Sequence, residues 1–187
     1  MNAGFADPVA DSQAVFRAVL DAMTRPGTIH AVGAPAEPPA PLHRATAALL
    51  LTLADADTPL WLDPAASLAR GWVIFHCGAP AVEPGAAALA VAVGSVALDG
   101  FHAGTDEQPE LGATVVLQVA ALGQGRVLAL TGPGLLHGET LLVDGLPESF
   151  LVEWARNTAL FPRGVDVVLC AGDRLAALPR TVAVRGG

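Results

Sequence analysis

The chain has 187 residues, of which 52 % are hydrophobic, and its formal net charge at pH 7 is −8. This hydrophobic content excludes a disordered chain and is enough for the core of one sizeable domain. The acidic balance argues against a non-specific nucleic-acid binder, which needs a basic face. All ten basic residues are arginines. Without lysine, the chain can form neither the internal Schiff base of pyridoxal phosphate nor a Gly-Lys phosphate loop.

The N-terminus has no basic segment followed by a long apolar one, and no stretch has the ~18 uninterrupted apolar residues of a membrane span. We therefore expect a cytoplasmic protein without membrane contact. Both cysteines, Cys77 and Cys170, lie in apolar runs. In a chain without a secretory signal, this setting favours buried free thiols over a disulfide.

The first predicted element is an amphipathic helix with Asp7 as its N-cap and Pro8 in its first turn. Apolar residues at helical spacing predict that one face of this helix packs on the core. That face comprises Val9, Phe16, Leu20 and Met23. The elements predicted next are a strand at 28–32, a helix at 42–53, a strand at 60–62 and a brief helix from Asp63 to about Arg70.

The remaining elements follow from apolar runs and from the glycines and prolines that bound them. We predict strands at 72–77 and 89–93, followed by a polar loop at 95–112. A strand at 113–121 comes next, and a tight hairpin at 123–125 connects it to a buried strand at 126–130. Beyond these lie a Gly-Pro-Gly turn, a pairing segment at 140–143, a helix at 147–159, a strand at 167–170 and an edge strand at 178–184.

Strands mixed with helices predict an α/β fold, a single domain spanning residues 1–187 with one mixed β-sheet flanked by helices. Hairpin links and helical crossovers both occur, which argues against a purely parallel sheet. The apolar strands at 126–130 and 167–170 are expected to form the centre of the sheet.

No catalytic or metal-binding motif stands out. The histidines are far apart, there is no His-Glu-x-x-His, no Gly-x-Ser-x-Gly elbow, and no Gly-x-Gly-x-x-Gly between a strand and a helix. His76 is interpreted as a core or strand-end residue. We predict no catalytic residue, no metal and no cofactor.

Six residues remain as candidates for binding or for an interface. Gly132 and Gly134 flank Pro133 in a turn that either is purely structural or offers two backbone N–H groups to an anion, and His137 follows shortly after. Arg163 and Asp166 either pair with each other or leave a guanidinium free. In the second case, Arg163 or Arg180 could offer a bidentate fork to a phosphate or a carboxylate.

A series of short motifs runs in the same order as in one known family. In chain order the motifs are Asp7-Pro8-Val9, Gln13, Phe16-Arg17, Ala22-Met23, Pro26-Gly27, Leu51-Thr52-Leu53-Ala54-Asp55, Asp57-Thr58-Pro59, Trp61-Leu62, Phe75-His76, Ala79-Pro80, Pro109-Glu110-Leu111-Gly112-Ala113-Thr114, Gly125-Arg126, Leu130-Thr131-Gly132, Phe161-Pro162, Gly164, Asp166 and Pro179-Arg180-Thr181. Together they resemble the PhnH family, the H subunit of the bacterial carbon–phosphorus lyase system for phosphonate use.

The resemblance implies a fold similar to the large domain of pyridoxal-phosphate-dependent transferases, without the cofactor. It implies a homodimer in isolation and a core complex with the G, I and J subunits. In that complex a phosphonate and ATP are converted to ribose 1-phosphonate 5-triphosphate, and the J subunit later cleaves the carbon–phosphorus bond. The resemblance supplies no catalytic residue for this chain.

Three hypotheses about function remain. The chain could be an assembly subunit without chemistry of its own, or it could contribute to an ATP or phosphonate site through its arginines. The third hypothesis is a stand-alone small-molecule or nucleotide-binding α/β enzyme, which would be active without partners.

Overall fold

A computed structural model describes residues 4–33 and 37–187, with the backbone but not the side chain of His137. The α-helices are α1 (Pro8–Thr24), α2 (Arg44–Leu53), α3 (Arg70–Cys77) and α4 (Phe150–Thr158). The strands are β1 (His30–Ala31), β2 (Leu60–Leu62), β3 (Leu89–Val93), β4 (Thr114–Gln118), β5 (Ala121–Gly132), β6 (Leu135–Asp144), β7 (Asp166–Ala171), β8 (Arg174–Leu178) and β9 (Ala183–Gly186). Short 3₁₀ helices lie at Pro64–Ala69, Pro84–Ala86, Leu98–Gly100 and Pro109–Leu111.

The strands form two sheets. A six-stranded sheet has the order β1-β8-β7-β4-β3-β2, in which β2, β3, β4 and β7 are parallel and β8 and β1 are antiparallel to their neighbours. A three-stranded antiparallel sheet has the order β6-β5-β9. The predicted mixed α/β fold is confirmed, but the prediction of one sheet was wrong. The segment 126–130 belongs to β5 in the smaller sheet, so β4 and β7 form the centre of the larger one.

The six-stranded sheet is buried on both faces, as expected where parallel strands predominate. Val116 and Val168 point to one face and pack with α1, α2 and α3. Their neighbours Val115 and Val167 point to the other face, where they share a cluster with the smaller sheet and α4. The layers are therefore helices, a mixed sheet, and a small sheet with one helix. No helix within the described ranges is long and apolar enough to cross a membrane.

Helix α1 begins as predicted, but it turns a different face to the core. Asp7 accepts hydrogen bonds from the N–H groups of Val9 and Ala10, at 3.2 and 3.1 Å. The buried residues of the helix are Val15, Val19 and Ala22, whereas Val9, Phe16 and Leu20 of the predicted core face are exposed. Two apolar stripes lie side by side on this helix. The stripe with the smaller side chains packs inward, where a helix can lie close to its neighbours.

The segment 72–77, predicted as a strand, is part of helix α3. Trp72, Val73 and Cys77 are buried, at the spacing of a helical face. Gly78 ends the helix with φ +66°, the left-handed conformation typical of the residue after a helix. The 3₁₀ helix Pro64–Ala69 runs directly into α3, so the chain is already coiled when it reaches the aromatic run.

A predicted hairpin and a predicted edge strand were also wrong. The glycines at 123–125 do not form a hairpin; they lie within β5, where the register with β6 shifts between Leu122 and Arg126. A Cβ on Gly125 would lie 2.7 Å from Cα of Asp144, so this irregular stretch needs a glycine. The predicted edge strand at 178–184 is the end of β8 and the start of β9, separated by the turn after Pro179. The prediction of a strand at 28–32 is confirmed only for the two residues of β1.

Candidate functional site

The most connected polar group among the candidate residues is the guanidinium of Arg180. Asp166 opens β7, and Arg180 follows the end of β8, which pairs with β7. Arg180 Nη2 donates to Asp166 Oδ2 at 2.6 Å, and Nε lies 3.2 Å from each carboxylate oxygen. The backbone N–H of Arg180 also donates to Oδ1, at 2.8 Å. The arginine fork is therefore occupied by a carboxylate of the same chain.

The same guanidinium holds a third segment. Arg180 Nη1 donates to the carbonyl oxygen of Pro109 at 2.5 Å. The packing beside this bond leaves no space: a Cβ on Gly112 would lie 2.2 Å from the carbonyl oxygen of Gly164 and 2.6 Å from Arg180 Nη1. We call Pro109, Asp166 and Arg180 the Arg180 clasp. It joins the 3₁₀ turn at Pro109–Leu111, the start of β7 and the turn after β8.

The surface around the clasp is apolar and rich in proline. A shallow depression of about 330 Å³ lies there. It is lined by Pro109, Glu110, Phe161, Pro162, Asp166, Pro179, Arg180 and Thr181. Phe161 is 62 % exposed and Leu111, next to the lining residues, is 50 % exposed. We call these residues together the clasp surface. Apolar side chains held outward by a rigid backbone are typical of a protein-contact surface.

Arg163 does not pair with Asp166, contrary to one of the two predicted arrangements. Asp166 binds Arg180, and Arg163 instead lies beside Asp106, with Nε 3.2 Å from Oδ1. This contact lacks hydrogen-bond alignment, and Nε of Arg163 is buried without a hydrogen-bond partner. Gly164, with φ +133°, redirects the chain between the arginine and the strand. The Arg163–Asp106 pair is largely exposed, so it contributes little to stability.

The Gly-Pro-Gly turn joins β5 to β6 and has tight packing at one of its two glycines. A Cβ on Gly132 would lie 2.9 Å from the carbonyl oxygen of Thr181, next to Arg180. The corresponding position on Gly134 would lie 3.5 Å from the carbonyl oxygen of Thr24. Gly132 thus lies beside the clasp, and Gly134 lies towards the end of α1. The side chain of His137 is outside what the structure describes.

The two cysteines are free and buried, as predicted. Burial raises the pKa of the Cys77 thiol to about 11 and that of Cys170 to about 12. Because the thiolate is the nucleophile, neither cysteine is reactive near neutral pH. His76, predicted in a strand or the core, lies in α3 with its ring 4.6 Å from that of Trp72. Within the described part of the chain, no three His, Cys, Asp or Glu residues are grouped so as to hold a metal ion.

Three polar residues are buried within the described ranges, and none of them was identified from the sequence: Thr46, Gln118 and Asn157. Gln118, at the end of β4, accepts from the N–H of His43 at 2.6 Å and donates to the carbonyl oxygen of Pro41 at 3.1 Å. It therefore fixes the start of α2 to the carboxyl end of the central strand. The signal in the sequence is a glutamine at the end of the apolar run 114–118.

Comparison with known proteins gave a family and two relatives. Residues 3–185 match the family described as bacterial phosphonate metabolism protein (PhnH). The alpha-D-ribose 1-methylphosphonate 5-triphosphate synthase subunit PhnH of Rhizobium meliloti (strain 1021) is 43 % identical over 186 residues, which cover 96 % of this chain and 93 % of that protein. HtxG of Stutzerimonas stutzeri, named as a candidate C-P lyase subunit, is 34 % identical over 170 residues, which cover 90 % and 83 %.

Proposed function

Because the chain belongs to the PhnH family of bacterial phosphonate metabolism proteins, we propose that it is a subunit of a carbon–phosphorus lyase core complex. In that complex a phosphonate and ATP are converted to ribose 1-phosphonate 5-triphosphate. The relative from Rhizobium meliloti is named as a subunit of the synthase that makes the methylphosphonate product, and the match covers nearly the whole of both chains.

The observation that carries an assembly role is the clasp surface. It combines exposed apolar side chains with a backbone fixed by Arg180, whose hydrogen bonds join three segments distant in sequence. A preorganised surface loses little conformational entropy on binding, which favours a stable contact with another subunit. The same hydrogen bonds occupy the fork of Arg180, so this residue acts in the proposal by positioning the surface and does not receive an anion.

We further propose that the partners are the G, I and J subunits, that the isolated chain is a homodimer, that the protein is cytoplasmic and that residues 1–187 form one domain. The fold is proposed to be similar to the large domain of pyridoxal-phosphate-dependent transferases. We propose that the chain works without pyridoxal phosphate, which is supported by the absence of lysine from the sequence.

The proposal is tested by co-expressing the chain with the G, I and J subunits and measuring assembly by size-exclusion chromatography with light scattering. We expect Phe161→Glu to weaken assembly at least about tenfold, because it places a charge in an apolar contact. The matched control is Leu68→Glu, at a residue that is 84 % exposed in the 3₁₀ helix before α3. Assembly of the Phe161→Glu variant at wild-type strength would refute this role for the clasp surface.

A second function is favoured by the side chain of Arg163, which is 42 % exposed and pairs with the still more exposed Asp106. Exchange of the Asp106 carboxylate for a phosphate or phosphonate oxygen would make the chain a contributor to the substrate site. Calorimetric titration of the isolated chain with ATP and with methylphosphonate separates the two functions. Heat of binding that disappears in Arg163→Ala would favour the substrate role. No binding to the isolated chain, together with assembly sensitive to Phe161→Glu, would favour the assembly role.

A further inference from the structure

A groove along the outer edge of β2 lies among elements that are not part of the clasp surface. It has a volume of about 740 Å³ and lies between β2, the 3₁₀ helix Pro64–Ala69 with α3, and the segment 79–83. Leu60, Val73 and Ala79 line it and are buried. Ser67, Arg70, Ile74 and Glu83 also line it and are exposed. The groove therefore has an apolar floor and a partly polar rim.

The backbone of β2 is open along part of this groove. In the parallel pairing with β3, Leu89 donates to the carbonyl oxygen of Pro59, and Asp63 donates to that of Val91 at 2.9 Å. Residues 60 and 62 therefore direct their N–H and C=O groups to the outer side. Leu60 uses these groups, bonding to Pro80 and Val82 at 2.9 and 3.0 Å.

Leu62, two residues further along, has no such partner within the described residues. The segment that pairs with Leu60 leaves the strand after Val82, and Pro84 then begins a 3₁₀ helix. Proline has no N–H to donate, so the pairing could not continue through it. An N–H and a C=O group of the strand edge are thus left facing the groove.

We propose that this groove binds an extended peptide segment of a partner protein, which adds a short strand beside β2 by pairing its main chain with Leu62. An open strand edge is the feature that such β-strand addition uses. Alternate side chains of the peptide would pack on the apolar floor, because successive residues of a strand point to opposite sides.

The charges on the rim specify the peptide further. Arg70 and Glu83 have opposite charge and both line the groove. Within the described residues, Arg70 is not part of an ion pair. The partner segment therefore carries an acidic side chain that meets Arg70 and a basic one that meets Glu83, with apolar residues between them.

The test uses two synthetic peptides, acetyl-Lys-Val-Ile-Val-Glu-amide and its reversed sequence, because the direction of the added strand decides which charge meets Arg70. Binding to the full ¹⁵N-labelled chain is followed by NMR, with hydrogen exchange of the Leu62 amide as the local readout. We expect one of the two peptides to bind with a dissociation constant below about 1 mM. We also expect that peptide to slow exchange of the Leu62 amide.

Two variants and two modified peptides define the site. Arg70→Glu should weaken binding about tenfold, whereas Arg17→Glu, which changes another exposed arginine on α1, should leave it unchanged. Leu62→Pro removes the free N–H without removing a bond to β3 and should weaken binding several-fold. If that variant does not fold, two peptides, one N-methylated at its central residue and one at the residue after it, test the same main-chain pairing, because one of these two N–H groups faces β2.

Three results would overturn the inference. The first is that neither peptide binds at about 1 mM. The second is that binding is the same in Arg70→Glu and is unaffected by N-methylation. The third is that the Leu62 amide becomes protected as protein concentration rises without peptide, which would assign the groove to a second copy of this chain.

Discussion

Replacement of Gly112 by alanine tests how tightly the Arg180 clasp is packed. Gly112 has φ −61° and ψ 134°, an ordinary backbone conformation that alanine adopts without strain. The effect of Gly112→Ala is therefore steric. The new Cβ would lie 2.2 Å from the carbonyl oxygen of Gly164 and 2.6 Å from Arg180 Nη1, whereas ordinary contacts begin at 3.4 Å. Both neighbours must move by about 1 Å.

The cost has two parts. Overpacking of a tight site typically costs about 1–3 kcal/mol. A shift of Arg180 also weakens its hydrogen bond to Pro109, and a bond from a charged donor contributes about 1.5–3 kcal/mol. Since the two effects overlap, we expect Gly112→Ala to lower the free energy of unfolding by about 3 kcal/mol.

Urea denaturation followed by circular dichroism measures this loss, and Gly71→Ala is the matched control. Gly71 lies in α3, where an added Cβ would have no atom within 4 Å. Its replacement should leave stability unchanged or raise it by up to about 1 kcal/mol, through helix propensity. If Gly112→Ala unfolded within about 0.5 kcal/mol of the wild type, within the range of ordinary surface substitutions, the packing argument for the clasp would be wrong.

Three further predictions concern the clasp and the thiols. A double-mutant cycle with Arg180→Met and Asp166→Asn, measured by urea denaturation, should give a coupling free energy of about 1–3 kcal/mol. The reason is that the two side chains are only 12 % and 20 % exposed. A coupling free energy near zero would contradict the ion pair. Cys77 and Cys170 should resist iodoacetamide in the folded protein at pH 8 and react in urea, and equal rates in both states would contradict their burial. Because folding raises the pKa of each thiol from 9.0, to about 11 and about 12, their contribution to stability is complete below pH 9 and is lost as pH rises towards 12.

Several elements were predictable because their signals are local. Asp7 and Pro8 begin α1 through capping geometry, which depends only on neighbouring residues. The strands β3 and β7 were recognised from short apolar runs, which suit strands buried on both faces. Helix α2 was identified from its length and its Ala and Leu content.

The error at α3 has a different cause. The run 72–77 contains Trp, Val, Ile and Phe, residue types that favour strands when considered alone. Its structure is decided by the 3₁₀ helix before it and by Gly78 after it. A glycine directly after an apolar run is a helix-ending signal, and it was present in the sequence.

The partners in the candidate site could not be read from spacing. Arg163 and Asp166 are three residues apart, yet Asp166 binds Arg180, 14 positions along the chain. The antiparallel pairing of β7 with β8 brings the aspartate opposite the residues after β8. Pro109 lies 71 positions from Arg180, and only the packing of the complete sheet brings it close. The sequence showed the motifs that contain these residues, but it did not predict that Arg180 contacts both Asp166 and Pro109.

The position of β4 beside β7 also affects the order of folding. The two strands pair in parallel at the centre of the larger sheet, although residues 119–165 lie between them along the chain. Closing so long a loop is entropically costly and makes folding slow. The hairpin of β5 and β6 lies within this loop and pairs neighbouring segments, which form in about 1–10 μs in isolated hairpins. We therefore expect the β5–β6 hairpin to form early, before β9 joins it, and to shorten the loop that must close when β4 pairs with β7.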